Sequence, residues 1–323
     1  MIKTITALKT PWLACLAMLL ISSTVSAQTI RYGVITPPNH MWSQVIQRFK
    51  ANLEQVTDGM VVKESRFAKV RGESHIVDML KKGQLQMGVV AAGSLTTLDP
   101  SLNGWLVPYQ FDNAAQLGRA AAGEEAQAML AELEVHNLVA LGYTFAGMRQ
   151  ILTPYPATAI ADLKGKRVRS YTNDVFYNWY RQLGIDPQPV EIQDVLVKLE
   201  SGELDAVDCD LATTVGLKLY EAAPHLMLTN HMAFPGIFTV SKKWWSELTT
   251  EMQAQVTRAF VEAAQWGIER LAQTERENLT ILREKGVTVT QLSEDDFAGV
   301  PKKLRDFYYS TNPRLQRFGL AVE

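Results

Sequence analysis

The stretch from Thr250 to Lys285 constrains this chain most, because it reads as one very long helix. Met252, Val256, Phe260, Ala263, Leu271, Leu279 and Leu282 form its apolar set. Thr250 with Gln253 has the spacing of a capping box, and Gly286 is a natural stop. At 1.5 Å per residue such a helix spans roughly 50 Å, longer than one ordinary lobe. The apolar spacing is not a sustained heptad, which argues against a coiled coil. A helix of this length is expected to lie along two lobes as a brace.

The rest of the chain supplies material for both lobes. Ile30 to Ile35 alternates like a strand, and Val45, Ile46, Phe49 and Leu53 then recur at helical spacing. Met60-Val61-Val62 follows the Asp58-Gly59 turn as a second strand. Ile76, Val77, Met79 and Leu80 mark a helix stopped by Gly83, and Met87 to Val90 is a third strand. This alternation predicts a parallel sheet covered by helices, with ligands at the carboxyl ends of its strands. Residues 161–207 repeat the plan: a strand at Arg167-Val168-Arg169, a helix from Val175 to Leu183 stopped by Gly184, an extended Gln188 to Val190, a helix from Val195 to Leu199 and a strand from Ala206. Ile237 to Val240 reads as a strand returning to the first unit. The division expected is 28–150 for lobe one, completed by 236–323, and 151–235 for lobe two.

Composition sets limits. The chain has 323 residues, 47% hydrophobic and 20% charged, with formal net charge −2. That is an ordinary globular balance, and without a basic face no nucleic-acid partner is expected. Lys3 and Lys9 precede an almost uncharged run from Trp12 to Val25, and Val25-Ser26-Ala27 supplies the small residues a signal peptidase reads. Residues 1–27 therefore read as a secretory signal peptide cut after Ala27, its apolar run shorter than the roughly 20 residues a membrane anchor needs. Cys15 lies early in that run, where a lipidated cysteine would end it. After cleavage only Cys209 remains, so no internal disulfide forms and stability must come from packed cores.

Signatures of chemistry are missing. The sequence has no G-x-S-x-G elbow, no H-E-x-x-H pair and no G-x-G-x-x-G fingerprint. Gly165-Lys166 is followed by Arg167 where a phosphate loop needs Ser or Thr. The five histidines (His40, His75, His136, His225, His231) show no metal-ligand spacing and read as surface or hydrogen-bonding residues. Asp205, Asp208 and Asp210 around Cys209 lack the glycine turn and closing Glu of a calcium loop. No metal, no cofactor and no catalytic residue is assigned. A scattered triad is compatible with absent motifs, and Cys209 is the only thiol an enzyme on this scaffold would have.

The run Asp162-Leu163-Lys164-Gly165-Lys166-Arg167-Val168-Arg169 carries a functional signal. A polar turn feeds a short strand that brings Arg169 to its end, where a parallel sheet presents its cleft. Arginine suits carboxylate recognition, being always charged and able to bond both oxygens at once, although a surface salt bridge is the ordinary role of a single arginine. On either side of this run, Val107-Pro108-Tyr109-Gln110-Phe111, Gly147-Met148-Arg149 before Leu152-Thr153, Gly202-Glu203-Leu204-Asp205 and Val240-Ser241-Lys242 with Trp244 or Trp245 and then Leu248 occur in order. This ordered set resembles the DctP-type solute-binding proteins of TRAP (tripartite ATP-independent periplasmic) transporters over essentially the whole mature chain.

The resemblance implies a two-lobed α/β fold like that of periplasmic binding proteins, with a ligand cleft between the lobes and the long helix bracing them. It also implies a monomer that captures a small organic acid in the periplasm without chemistry and delivers it to integral membrane subunits. A ligand-loaded adaptor for a membrane sensor is the alternative, and a periplasmic enzyme on the same scaffold a remoter one. Arg169 matches the family's carboxylate-binding arginine, Arg149 the second contact at a neighbouring strand end, and Glu73 a polar lobe-one residue near the cleft. Two departures alter the pocket. Ser170-Tyr171 stand where the family continues with Val-Pro, and Cys209 stands where a ligand-contacting Asn is usual. Tyr171 and Cys209 are therefore expected at the ligand, with Phe145, Phe176 and Trp179 as further candidates for an apolar wall.

Overall fold

The structure is a computed structural model that describes residues 28–57, 60–65 and 72–322. The expected signal peptide, the Asp58-Gly59 turn and Arg71 lie outside these residues. The strands are β1 (Gln28–Gly33), β2 (Met60–Glu64), β3 (Met87–Ala91), β4 (Leu138–Thr153), β5 (Arg167–Ser170), β6 (Asp186–Pro189), β7 (Ala206–Asp210), β8 (His225–Leu228), β9 (Ala233–Ser241) and β10 (Thr288–Gln291). Their order is β2-β1-β3-β9-β4-β7-β5-β6, with β8 also on β4 and β10 on β8.

Each half is parallel within itself. β1 runs parallel to β2 and β3, and β5 runs parallel to β6 and β7. That is the parallel pairing expected of the strand–helix–strand units; the connecting strands, to which the sequence assigned no direction, are antiparallel: β9 pairs β3 and β4, and β4 pairs β7 and β8. β4 belongs to both halves. Its first part lies against β9, and from Arg149 it lies against β7. The change of partner follows an irregularity between Phe145 and Met148, where Gly147 takes φ +106°, a conformation that strains any L side chain. Glu275 of the long helix accepts the Met148 N–H there at 3.0 Å, so the helix holds the crossing point.

That helix runs Thr250–Glu284, 35 residues. Its cap is Thr249, which accepts the Met252 N–H at 3.2 Å, one position before the residue the pattern suggested. Val256, Ala259, Phe260, Ala263, Gly267, Leu271 and Leu282 are among the residues on its buried stripe. A Cβ on Gly267 would stand 2.7 Å from Val45 Cγ2, so glycine is what lets this helix approach the helix Met41–Val56. Further along it packs on β4 and on the helix Leu211–Gly216, and so touches both halves.

The returning segment does not stay with the first lobe. β10 pairs β8 in the second sheet, because the long helix delivers the chain to that side. The helix Val300–Thr311 then packs on the helix Asp174–Gln182, and the helix Pro313–Leu320 packs back on residues 100–106 and 124–132. The segment 236–323 thus straddles both sheets instead of completing one lobe. Apolar side chains gather in a large cluster that includes Trp42, Trp105 and Phe238, and in a smaller one under the second sheet formed by Leu152, Val195, Val207, Leu226 and Leu282. Among the described residues no helix is long and apolar enough to cross a membrane.

Candidate functional site

Arg169 sits at the carboxyl end of β5 and is 4% exposed. Its Nε donates to Val190 O at 2.9 Å and its Nη1 to Asp208 O at 3.0 Å. Among the described residues it has no ion pair. Burial first, and the Arg149 charge second, push its pKa below the ordinary value. A cation fixed by two carbonyls, dehydrated and uncompensated, is a strong point of attraction for an anion.

Arg149 is buried too, but it is already paired. Its Nε donates to Asp208 Oδ1 at 2.6 Å and its Nη2 donates to the Asp208 carbonyl. Its guanidinium lies 4.4 Å from the centre of the Phe234 ring and 5.5 Å from that of Phe176. Asp208 Oδ2 accepts from Tyr180 Oη at 2.7 Å and stands 3.3 Å from His231 Nε2. Burial alone would raise the Asp208 carboxyl, but Arg149 and then His231 overcome it and hold it well below the usual carboxylate range. The two arginines do not sit on neighbouring strands as expected. β7 lies between β4 and β5, and both guanidiniums donate to the same carbonyl, that of Asp208.

From the first half, His40 caps the helix Met41–Val56. Its Nδ1 accepts the Trp42 N–H at 3.1 Å, which leaves Nε2 to carry the ring proton. Nε2 stands 3.5 Å from Asp210 Oδ1 but has no formed hydrogen bond. Asp210 caps the helix Leu211–Gly216 by accepting Thr213 N–H at 2.7 Å and Thr213 Oγ1 at 2.8 Å. Burial opposes its ionisation, yet His40, Arg149 and the cap bond bring its pKa down to about 2.

Glu73 opens the helix Glu73–Lys81 and is buried. It accepts the Ala91 N–H at 2.8 Å, Ser94 Oγ at 2.6 Å and the Tyr171 hydroxyl. Burial raises its pKa, and these donors counter part of the rise. Tyr171 follows β5, so this contact ties the two halves together. Arg169 and Tyr171 both line a small cavity and a wider cleft beside it, while Glu73 lines the cleft alone.

The structure brings Arg149, Arg169, Tyr171 and Cys209 to the wall of the small cavity. Cys209 thus stands on the cavity wall, with its thiol engaged within the protein. Its Sγ lies 3.0 Å from Thr214 Oγ1, its side chain packs in the smaller apolar cluster, and burial with the nearby Asp210 charge pushes the thiol up to about 12. We expect a thiol reagent at pH 8 to label the folded protein very slowly with or without an added acid, and promptly in denaturant. Rapid labelling of the unliganded fold would contradict this placement.

The apolar wall is also not the expected one. Of Phe145, Tyr171, Phe176 and Trp179, only Tyr171 lines the small cavity. Phe145 packs on Trp105, and Trp179 stacks on His231 at 5.6 Å. The wall comes from Trp42 and Phe234, stacked 5.4 Å apart at 11°. His40 and Trp42 follow the carboxyl end of β1, so the strand-end rule could have found them; Phe234 gave no signal. The three aspartates are split among Arg167, Arg149 and Thr213, and no group of three or more His, Cys, Asp or Glu among the described residues could hold a metal.

Comparison with known proteins agrees with this architecture. The chain is 23% identical over 297 residues to the 2,3-diketo-L-gulonate-binding periplasmic protein YiaO of Escherichia coli, covering 91% of this chain and 90% of that one. It is 25% identical over 256 residues to a solute-binding protein of Chromohalobacter salexigens, with coverage of 78% and 76%. Among solved structures it superposes on the sugar acid binding protein DctPAm of Advenella mimigardefordensis, in complex with galactonate, with TM-score 0.86, 22% identity and coverage of 92% and 98%. A TRAP periplasmic solute-binding protein of Haemophilus influenzae with bound L-gulonate gives TM-score 0.84, 23% identity and coverage of 91% and 98%. The family model for bacterial extracellular solute-binding protein, family 7 (DctP), matches residues 32–312, and on that match the chain belongs to this family.

Proposed function

We propose that the chain is the periplasmic solute-binding subunit of a TRAP transporter, capturing a small carboxylate-bearing organic acid and handing it to integral membrane subunits. The observation that carries this reading is Arg169, a buried guanidinium on a cavity wall with no anionic partner of its own. A ligand carboxylate supplies the missing charge, and its bonds gain strength once closure excludes water. The mechanism is capture. The acid enters between the halves, Arg169 takes its carboxylate, and contacts such as Tyr171 with Glu73 and His40 beside Asp210 draw the halves together.

No group on the cavity wall is prepared for chemistry. The carboxylates are bonded within the protein, and the one thiol is held protonated. The solved relatives named as holding galacturonate, L-gulonate, D-glucuronate and succinate support an acid as the ligand class. Export by a leader cut after Ala27, action as a monomer and delivery to membrane partners complete the proposal.

A thermal-melt screen of the mature chain tests it. Organic acids are expected to raise Tm, since a ligand at a hundredfold its Kd adds about 2.7 kcal/mol. Stabilisation by neutral sugars and not by acids would overturn the reading.

A further inference from the structure

We infer that residues 171–173 form a latch that holds the two halves closed on the protein's own contacts, so that the chain rests shut whether or not a solute is bound. This goes beyond the capture reading and holds whichever solute Arg169 attracts.

The latch grows out of the second half. It follows β5 directly, and the Asn173 N–H donates to the Tyr171 carbonyl at 2.9 Å, a tight turn from which both side chains reach the first half. Asn173 Oδ1 stays with its own half and caps the helix Asp174–Gln182 by accepting the Val175 N–H at 2.8 Å. Its Nδ2 crosses over, donating to Thr96 Oγ1 at 3.1 Å and to Asn103 Oδ1 at 3.0 Å. The Tyr171 hydroxyl crosses as well, donating to Glu73 and meeting Ser94 Oγ. Burial first, and the Glu73 charge second, hold this hydroxyl well above the ordinary tyrosine pKa, so it remains a donor. Tyr171 belongs to this chain's own departure from the family pattern, and the proline usual at that position carries no such donor.

The ring also has a fitted seat. A Cβ on Gly93 of the first half would stand 2.8 Å from Tyr171 Cε1, so the glycine is what admits the ring. Phe234 meets the same ring edge to face at 5.4 Å. Every partner in the latch is a protein group. Buried hydrogen bonds and close packing therefore favour the closed position before any solute adds its own contacts.

The latched form is tight at its centre. Arg169 and Tyr171 line both the small cavity and the wider cleft, which puts the ring at the boundary between the two. The cavity offers about 30 Å³, room for water but not for an organic acid. Filling it with a solute requires the latch to release and the halves to part.

The test is a distance across the cleft in the mature, solute-free chain. Spin labels on Asp78→Cys and Glu200→Cys, exposed positions on the helices Glu73–Lys81 and Val195–Glu200, report it by double electron–electron resonance, while the buried Cys209 thiol stays unlabelled. With the latch intact one short distance is expected. Tyr171→Phe keeps the ring and removes the hydroxyl, and is expected to raise the longer-distance population about tenfold. Adding Asn173→Asp keeps the helix cap, removes the Nδ2 donor and is expected to open the halves further. Gly93→Ala unseats the ring from the opposite half, at a helical position that alanine favours, and repeats the test without altering the latch residues. Circular dichroism is expected to match the unaltered protein in all three. Predominantly long distances in the solute-free protein with its latch intact would overturn the inference, as would an unchanged distribution in the double variant.

Discussion

Asp208→Asn is expected to destabilise the fold by about 3–5 kcal/mol, the usual cost of removing one partner of a buried ion pair. The amide keeps the volume but removes the charge that balances Arg149, which is 2% exposed and cannot reach water. It also disturbs the bonds to Tyr180 and His231 on the other oxygen. Urea unfolding of both proteins gives the difference from the shift in midpoint at constant m. A loss under about 1 kcal/mol would mean that Arg149 is compensated elsewhere.

Acid unfolding supplies a second check on the same pair. Asp208 and Asp210 have folded pKa values below the ordinary 3.8, so the folded state holds fewer protons at these sites than the unfolded chain. Their stabilisation is fully present above about pH 5 and is lost as pH falls through 3.8 towards about 2 and below. Asp208→Asn removes one of these two contributions, and the stability of the variant is expected to fall less steeply over that window.

Arg169→Ala is expected to act on binding while sparing stability. Losing the charge-assisted contact should weaken acid binding by about 2–5 kcal/mol, roughly 30-fold to several thousandfold. Unlike Arg149, Arg169 carries an unbalanced buried charge, so its removal should leave the Tm of the unliganded protein unchanged or raise it. Arg169→Lys should bind poorly as well, because an ammonium cannot offer the planar two-pronged contact. Calorimetry with any acid that stabilises the protein reads the binding loss, and a melt without ligand reads the stability. Unchanged affinity in Arg169→Ala would remove this residue from the site.

Features set by local pattern were legible in the sequence. The long helix, the strand carrying Arg169 and the strand–helix alternation on both sides of it follow from side-chain periodicity and from glycine stops at residues 83, 184 and 286. Such signals act within one or two turns of chain and survive whatever the rest of the fold does. The same local signals placed Arg169 near the end of its strand.

Pairings between distant segments were decided only by tertiary structure. Two arginines of equal charge, Arg149 and Arg169, read alike in sequence; the strand β7 inserted between them gives Asp208 to one and leaves the other unbalanced. Cys209 read as a ligand contact; the fold puts it on the cavity wall, and packing sets its Sγ against Thr214 and the smaller apolar cluster. Phe234 became a cavity wall because β9 crosses beside Trp42, and His40 came to face Asp210 with one nitrogen while the other is committed to a helix cap. Each outcome depends on which groups meet across tens to hundreds of residues, where burial removes water as an alternative partner and so fixes which charges are balanced and which are left for a ligand.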